Sequence, residues 1–211
     1  MCCLFGILDY GGKLSRKEKT KLLSVLSVAC EERGTDATGI AYNSGDSLRI
    51  YKRPLPAHLL WFKIYEDTKL VMGHTRMTTQ GSEQFNANNH PFAGQAGDTT
   101  FALAHNGVLS NDKRLGRQHD LPATKIETDS YIAVQLLEAS GELSFASLAS
   151  MAEKLEGSFT ITVMTDQDEL YFIKGDNPMC IYHYEKLGFY IYASTEPILK
   201  TALKQLNMKL G

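Results

Sequence analysis

Apolar runs of strand length fall into two groups along this chain, and segments with helical spacing lie before, between and after them. The first group covers residues 3–9, 38–43, 47–52, 70–73 and 100–104, and the second covers 159–164, 170–173, 180–184 and 189–193. Turn residues separate the members of the second group, which predicts an antiparallel meander. Two sheets packed face to face with helices outside would bury both groups. The sequence therefore predicts an α+β fold, a four-layer αββα sandwich of two antiparallel sheets between helical layers.

Four helices are predicted from apolar residues that recur at helical spacing. Ser15 is expected to cap the first helix and Thr128 the second. The third helix covers about 144–155. The last covers about 196–206 and has Pro197 in its first turn, where proline is favoured.

Two stretches between the predicted strands lack a clear period. Residues 54–65 are expected to form a short helix or a covering loop. Residues 80–99 form a long polar stretch rich in Gly, Asn, Gln and Ser. Loops of that length inside a compact domain are usually functional or mobile. We therefore expect the 80–99 loop to border a functional site.

Length, charge and cysteine content exclude several kinds of protein. At 211 residues the chain is long enough for one substantial core, so a single domain over residues 1–211 is expected. A net charge of −2 gives no electrostatic reason to expect a nucleic-acid partner. No apolar run is long enough to span a bilayer and no signal peptide is evident, which predicts a cytoplasmic protein without a membrane partner. The four cysteines and six histidines show no metal-ligand spacing, so no metal site is predicted.

A cysteine, Cys2, directly follows Met1. If Met1 is removed, Cys2 carries both a thiol and a free α-amine. An α-amino group has a pKa of about 7.7 to 8.0 and a cysteine thiol about 8.5, so the amine is a suitable base near neutrality. Cys2 is therefore a candidate nucleophile for acyl transfer. The alternative is a structural cysteine that is simply buried with the strand that follows it.

Several short motifs accompany Cys2 along the chain. They are Arg33-Gly34-Thr35-Asp36, Gly73-His74-Thr75-Arg76-Met77-Thr78-Thr79-Gln80-Gly81, Asn89-His90-Pro91-Phe92, Ala104-His105-Asn106-Gly107 and Glu127-Thr128-Asp129-Ser130. With Cys2 at the N-terminus and the motifs in this order, the chain resembles the class II glutamine amidotransferase domain. The resemblance spans the chain. It implies an enzyme with an N-terminal-nucleophile hydrolase fold that releases ammonia from the side-chain amide of glutamine.

The resemblance assigns the chemical steps to three residues. Cys2 attacks the amide and forms a thioester, and its own α-amine is the base once Met1 has been removed. The Asn106 side-chain amide and the Gly107 N–H form the oxyanion hole. Taken alone, Asn106-Gly107 would predict a turn after a strand, because Asn-Gly is a common hairpin pair.

Free glutamine also carries an α-carboxylate and an α-ammonium, which call for one fixed cation and one fixed anion. The resemblance implies that Arg76 holds the carboxylate in a bidentate fork and that Asp129 accepts from the ammonium. A surface ion pair or a helix cap is the alternative for both residues. Thr79 resembles a family residue that contacts the bound glutamine.

The remaining motif residues are expected to support the site. Arg33 would orient the N-terminal strand, and Asp36 would pair with Arg33. His74 and His105 are expected to be packed strand residues with no catalytic step. Position 3 is usually glycine in the family, so Cys3 would either crowd the pocket or offer a second oxidisable sulfur.

Well-known family members continue into a domain that consumes the ammonia, and this chain has the length of the glutaminase unit. The leading hypothesis is therefore a stand-alone glutaminase that passes ammonia to an acceptor enzyme on another chain. One alternative is an amidohydrolase of the same kind that acts on another small γ-glutamyl or acyl amide. A second alternative is a catalytically inactive glutamine-binding regulatory subunit. No cofactor is implied, because amide hydrolysis through a thioester requires neither a metal nor a redox group.

Overall fold

The structure, a computed structural model, describes residues 2–45 and 47–206. Its strands and α-helices are, in chain order, β1 (Cys3–Asp9), α1 (Arg16–Ala29), β2 (Ala37–Ser44), β3 (Ser47–Arg53), β4 (Leu70–Arg76), β5 (Phe92–Ala96), β6 (Thr99–Leu109), α2 (Asp112–Gln118), α3 (Tyr131–Ser140), α4 (Phe145–Lys154), β7 (Gly157–Thr165), β8 (Leu170–Lys174), β9 (Cys180–Tyr184), β10 (Phe189–Ala193) and α5 (Glu196–Gln205). Short 3₁₀ turns lie at Cys30–Glu32, Ala57–Leu59, Asn86–Asn88 and Glu185–Leu187. In the described residues, no helix is both long and apolar enough to cross a lipid bilayer.

The strands form two antiparallel sheets. Sheet A has six strands in the order β3-β2-β4-β1-β10-β9, and sheet B has four in the order β5-β6-β7-β8. Strand β1 lies in the middle of sheet A, where Cys3 is opposite Thr75 of β4 and Phe5 is opposite Ala193 of β10. The N-terminal segment is therefore fixed by a neighbour on each side.

Alternation along the strands separates the apolar side chains into layers. In β1, Cys3, Phe5 and Ile7 pack in an outer core with α1 and α5, whereas Leu4 packs in an inner core between the two sheets. Helices α3 and α4 share a third core with the other face of sheet B. Burial of each large apolar side chain in these layers contributes about 1.5 to 3 kcal/mol. The predicted αββα sandwich is confirmed.

The predicted meander of the last four strands is wrong. Strands β7 and β8 extend sheet B, while β9 and β10 belong to sheet A, where β10 pairs with β1. The turn residues around 175–178 mark the end of a strand but do not determine which strand the next one pairs with. Pairing depends on the partner strand, and here the chain crosses between sheets.

Parts of two strands were not predicted because they contain polar residues. The 80–99 stretch was predicted to be a loop throughout, yet it contains β5, in which Phe92, Gly94 and Ala96 are buried. Strand β6 runs through Asn106 and Gly107, so the turn alternative for this pair is wrong. Asn106 is buried and Gly107 is partly exposed, and both pair with β7, so an apolar period is not needed for strand formation here.

The helix predicted to begin with a Thr128 cap begins later. Helix α3 starts at Tyr131, and its N-cap position is occupied by Ser130. The Thr128 hydroxyl is buried and has no hydrogen-bond partner among the described residues. The Ser130 hydroxyl contacts His105 Nδ1 at 2.7 Å instead of capping the helix. The Ser130 side chain therefore contacts strand β6 rather than the N-terminus of its own helix. Helix α2 was not predicted.

Candidate active site

Cys2 lies immediately before β1 and is partly exposed. The Met77 N–H donates to Cys2 Sγ at 3.4 Å, and Sγ is 3.5 Å from the Met77 carbonyl oxygen. Pairing of β1 with β4 brings these groups together, because β4 ends at Arg76, next to Met77. Burial raises the pKa of the Cys2 thiol above its ordinary value. The thiol is thus protonated at neutral pH and needs a base before it can attack.

Arg33 and Asp36 hold the backbone on both sides of this contact. Arg33 Nε donates to the Cys2 carbonyl oxygen at 2.8 Å. The Asp36 N–H donates to the Arg76 carbonyl oxygen at 3.0 Å, and Asp36 Oδ2 accepts from the Thr78 N–H at 2.6 Å. The two residues thus contact the backbone around Cys2 and Met77, and their supporting role stays a prediction. A direct pairing between Arg33 and Asp36 stays a prediction.

Arg76 is 3% exposed, and most of its guanidinium N–H groups already donate to acceptors within the protein. Nη1 donates to Asn89 Oδ1 at 2.7 Å, and Nη2 donates to the carbonyl oxygens of Gln80 at 2.5 Å and Gly81 at 2.9 Å. Three of the five guanidinium N–H groups are therefore donated within the protein. Burial lowers the pKa of Arg76, but a guanidinium starts so high that it stays charged. Thr79 is exposed on the same turn.

Two buried asparagines fix the beginning of the 80–99 loop. Asn88 Nδ2 donates to Glu127 Oε2 at 2.9 Å, and Asn88 Oδ1 accepts from the Glu127 N–H at 2.9 Å. Asn89 Nδ2 donates to the Glu83 carbonyl oxygen at 2.7 Å. The loop that was expected to border a site therefore joins the Arg76 turn to the segment before α3. The structural part played by Asn88 was not predicted.

Asn106 and Gly107 lie inside β6, next to β7. Asn106 is buried, and its Nδ2 is 3.3 Å from Ser194 Oγ. The Asn106 carbonyl oxygen accepts from Asn177 Nδ2 at 2.7 Å. Gly107 has a φ of +151°, and a Cβ built there would lie 1.9 Å from the Ser158 carbonyl oxygen. Packing between β6 and β7 alone is therefore sufficient to require glycine at this position.

Ser194 links the nucleophile strand to Asn106, and it was not predicted as a site residue. Its Oγ accepts from the Leu4 N–H at 2.8 Å and also contacts Asn106 Nδ2. Its own N–H donates to the Leu4 carbonyl oxygen at 2.9 Å. The Ser194 hydroxyl thus connects Leu4 of sheet A, two residues after Cys2, to Asn106 of sheet B. A serine between a strand and a helix is typical of a cap, so nothing in the sequence marked it.

Asp129 is buried directly before α3. Its Oδ2 accepts from the Leu109 N–H at 2.6 Å, and its Oδ1 is 3.4 Å from the Ser130 hydroxyl. Asp129 is therefore held at the end of β6, the strand that carries Asn106. It lines a cavity of about 530 Å³ that also includes Gln80 of the Arg76 turn.

Three histidines are buried around the site. His74 Nε2 lies 3.1 Å from the His105 carbonyl oxygen, and the His74 and His90 ring centroids are 4.2 Å apart. Burial lowers the pKa of His74 to about 3, and it lowers the pKa of His90 and of His105 as well. All three rings are thus neutral near pH 7. His74 and His105 are packed strand residues, as predicted.

Cys3 is fully buried in the outer core with Phe5 and Cys30, under helix α1. Alternation along β1 turns its side chain towards the helices, so it does not crowd the space around the Cys2 thiol. Within the described residues, no group of His, Cys, Asp and Glu side chains is arranged to hold a metal ion.

The family model and the similar proteins all indicate the same family. Residues 74–201 match the glutamine amidotransferase domain. The chain is 30% identical over 203 residues to glutamine–fructose-6-phosphate aminotransferase (isomerizing) of Staphylococcus epidermidis, a match that covers 92% of this chain and 32% of that protein. The protein of the same name from Halalkalibacterium halodurans is 31% identical over 184 residues, which are 83% of this chain and 30% of that protein. The chain spans about a third of the length of these curated relatives.

Solved structures show the same fold. A glutamine phosphoribosylpyrophosphate amidotransferase from B. subtilis, complexed with ADP and GMP, superposes with a TM-score of 0.76 at 21% identity, over 95% of this chain and 43% of that one. A glutamine aminotransferase class-II domain protein from Silicibacter pomeroyi has a TM-score of 0.53 at 14% identity, over 92% of this chain and 88% of that one. At such identities the likeness concerns the fold.

Proposed function

We propose, since this chain belongs to the class II glutamine amidotransferase domain family, that it hydrolyses the side-chain amide of L-glutamine to glutamate and ammonia. The N-terminal-nucleophile hydrolase fold of that family is the one predicted from the sequence. One observation carries the proposal. The Cys2 thiol contacts Met77 beside the buried Arg76, and the strand that follows Cys2 is joined to Asn106 through Ser194.

In the proposed reaction Cys2 Sγ bonds to the amide carbon, and the C–N bond then breaks to leave a γ-glutamyl thioester. The departing nitrogen takes up the thiol proton and leaves as ammonia, and water hydrolyses the thioester to glutamate. The raised pKa of the thiol supports the need for a base, which we assign to the α-amine of Cys2. That amine is free only after Met1 is removed. Met1 lies outside the described residues, so its removal is part of the proposal.

Negative charge on the carbonyl oxygen would be stabilised by Asn106 Nδ2 and the Gly107 N–H. Asn106 Nδ2 carries two N–H groups, and the contact with Ser194 uses one of them. The second is left to donate to the oxyanion. Removing one such donor costs roughly 2.7 to 4 kcal/mol of transition-state stabilisation in comparable sites.

Arg76 would bind the α-carboxylate of glutamine, with Thr79 on the same turn as a further contact. A bidentate fork uses Nη2 together with either Nη1 or Nε. Both Nη2 N–H groups are donated to the Gln80 and Gly81 carbonyl oxygens. Carboxylate binding must therefore displace at least one of these contacts. We infer that glutamine binding and movement of the 80–81 turn occur together.

Asp129 would accept from the α-ammonium of glutamine. Its Oδ2 is held by the Leu109 N–H, which orients the carboxylate and leaves Oδ1 beside the Ser130 hydroxyl. The position of Asp129 on the wall of the cavity that includes Gln80 supports this role. Together, Arg76 and Asp129 would select a free α-amino acid.

The ammonia would be consumed by an acceptor enzyme on another chain, in the cytoplasm. The relatives named above are about three times as long as this chain, and their name describes an aminotransferase that acts on glutamine and fructose 6-phosphate.

The test is glutamate release from L-glutamine by protein whose N-terminal residue is confirmed to be Cys2. We expect turnover by the wild type and by Cys180→Ser, which changes another partly exposed free cysteine, and none above background by Cys2→Ala. A processed wild type that releases no glutamate, even with acceptor enzymes present, would exclude the proposal.

A second candidate is hydrolysis of another small γ-glutamyl or acyl amide. The occupied N–H groups of Arg76 favour the acyl amide, because an acyl amide without an α-carboxylate need not displace the 80–81 turn, whereas a γ-glutamyl amide carries the same α-carboxylate as glutamine. The Arg76→Ala variant separates the two candidates. Loss of glutamine turnover, with turnover of a small acyl amide that lacks an α-carboxylate retained, would identify the second candidate as the natural reaction.

A further inference from the structure

Residues 61–64 lie beside helix α1, outside both sheets and without regular secondary structure. Phe62 and Ile64 are buried in the outer core, whereas Trp61 and Lys63 point outwards, and Trp61 is 86% exposed. Such alternation is that of a strand with one face buried. Tryptophan is a large side chain that is enriched at protein interfaces, so Trp61 offers apolar contact area to a partner.

The backbone groups of residues 61–64 are not paired with other described residues. Across the parts of the chain that the structure describes, the N–H and C=O groups of residues 61–64 make no hydrogen bond to another residue. A backbone whose N–H and C=O groups are unpaired, and whose side chains alternate between exposed and buried, resembles the edge of a sheet. It can accept a further strand.

A groove of about 780 Å³ lies between residues 61–64 and α1. Its helical wall is one face of α1, built at i and i+4 spacing. The groove carries four cationic side chains, and within residues 2–45 and 47–206 none of them is in an ion pair. They are Arg16, Lys17, Lys21 and Lys63. This is a concentrated positive charge on a chain whose net charge is −2.

We propose that this groove binds an extended acidic peptide segment of a partner protein, which adds as a strand to residues 61–64. Main-chain hydrogen bonds supply the pairing, as in other cases of strand addition. Acidic side chains of the segment pair with the four cations, and an apolar side chain covers Trp61. A phosphate ligand would use only the donors and leave the carbonyl oxygens of residues 61–64 open, so a peptide fits the groove better.

Trp61 is the only tryptophan of the chain, so its fluorescence reports directly on this groove. The probe is a ten-residue peptide in which Glu alternates with Val. We expect a saturable blue shift of Trp61 emission that weakens as salt is raised. The same peptide with Lys in place of Glu should not bind, and a peptide N-methylated on alternate residues should bind less tightly because it lacks half of the strand donors.

Charge-reversal variants test the location. Lys17→Glu combined with Lys21→Glu should weaken binding on the order of tenfold. Lys174→Glu combined with Lys186→Glu makes the same change in net charge at exposed positions elsewhere and should leave affinity unchanged. Lys63→Glu, within residues 61–64 rather than on the helix, should also weaken binding, so the test does not depend on α1 alone.

Three results would overturn the proposal. The first is equal binding by the Glu and Lys peptides, or no Trp61 response at millimolar peptide. The second is tighter binding of inorganic polyphosphate than of the acidic peptide, which would indicate a phosphate site. The third is a Trp61 response that sedimentation traces to self-association of this chain.

Discussion

Ser194 affects two parts of the proposed active site at once, because one hydroxyl accepts from the Leu4 N–H and contacts the Asn106 amide. Removing it leaves the buried Leu4 N–H without this acceptor and frees the Asn106 side chain to rotate. An unsatisfied buried donor costs about 1 to 3 kcal/mol of stability. A displaced oxyanion donor lowers the rate of the chemical step.

We therefore expect Ser194→Ala to lower kcat for glutamine roughly ten- to a hundredfold, with KM changed little, because Arg76 and Asp129 are intact. Steady-state kinetics and thermal unfolding measure the two effects separately. Ser110→Ala, at an exposed serine, serves as the control. A variant that loses stability but keeps its kcat would show that Ser194 is structural only.

Sequence motifs were sufficient to nominate Cys2, Arg76, Asn106 and Asp129. They could not show that the Arg76 donors are already in use or that Ser194 bridges the sheets. Those contacts join residues far apart in the chain, as between Leu4 and Ser194, and depend on how the two sheets pack. Local pattern carries no information about them. The roles of the four nominated residues stay predictions.

At the scale of elements, β6 shows why strand ends were misjudged. Strand β5 pairs with its first half and β7 with residues 101–109, and its second half carries the buried His105 and Asn106 followed by Gly107. An apolar period stops at residue 104, so periodicity ended the strand too early. The backbone pairing with β7 continues to Leu109 because it does not require apolar side chains.

Two glycines with positive φ provide a test of this pairing. Gly107 has a φ of +151° and its added Cβ would meet the Ser158 carbonyl oxygen at 1.9 Å, whereas Gly12 has a φ of +61° and no heavy atom within 4 Å of its added Cβ. We expect Gly107→Ala to lower the free energy of unfolding by at least about 3 kcal/mol, because strain and overlap add. Gly12→Ala should cost about 1 to 2 kcal/mol, from backbone strain alone.

Denaturant unfolding of both variants measures the difference. Equal losses of stability would mean that strand β6 does not approach β7 as closely at Gly107 as described.

For the whole molecule, the four-layer order followed from the sequence because two sets of strands and flanking helices have few ways to bury their apolar faces. Assignment of β9 and β10 to sheet A did not follow, because no local residue marks the crossing. Several histidines are buried around the proposed active site, and we expect them to make the stability of the whole molecule sensitive to acid.

His90 has no hydrogen-bond partner on either ring nitrogen among the described residues, and burial holds its pKa well below the ordinary value of 6.5. The unfolded chain therefore binds a proton below about pH 6.5 that the folded protein does not. The free energy of unfolding therefore falls as the pH drops below about 6.5, until the pH reaches the pKa of His90 in the folded protein. Each such proton contributes a slope of about 1.4 kcal/mol per pH unit.

We expect His90→Leu to reduce the slope of unfolding free energy against pH by about that amount between pH 6 and 4, since leucine fills the site without titrating. Denaturant unfolding at a series of pH values measures the slope. His119→Leu, at an exposed histidine, serves as the control. An unchanged slope in the His90 variant would mean that His90 is protonated in the folded protein.

The most direct test of the proposed chemistry is active-site labelling. Protein with a confirmed Cys2 N-terminus is incubated with the diazo-ketone analogue of glutamine, and the modified residue is mapped by mass spectrometry. We expect one adduct per chain on Cys2, formed with loss of nitrogen and prevented by excess glutamine, and none on Cys3, Cys30 or Cys180. An unlabelled Cys2, or a glutamine-protected adduct on any other residue, would contradict the assignment of Cys2 as the nucleophile of a glutamine site.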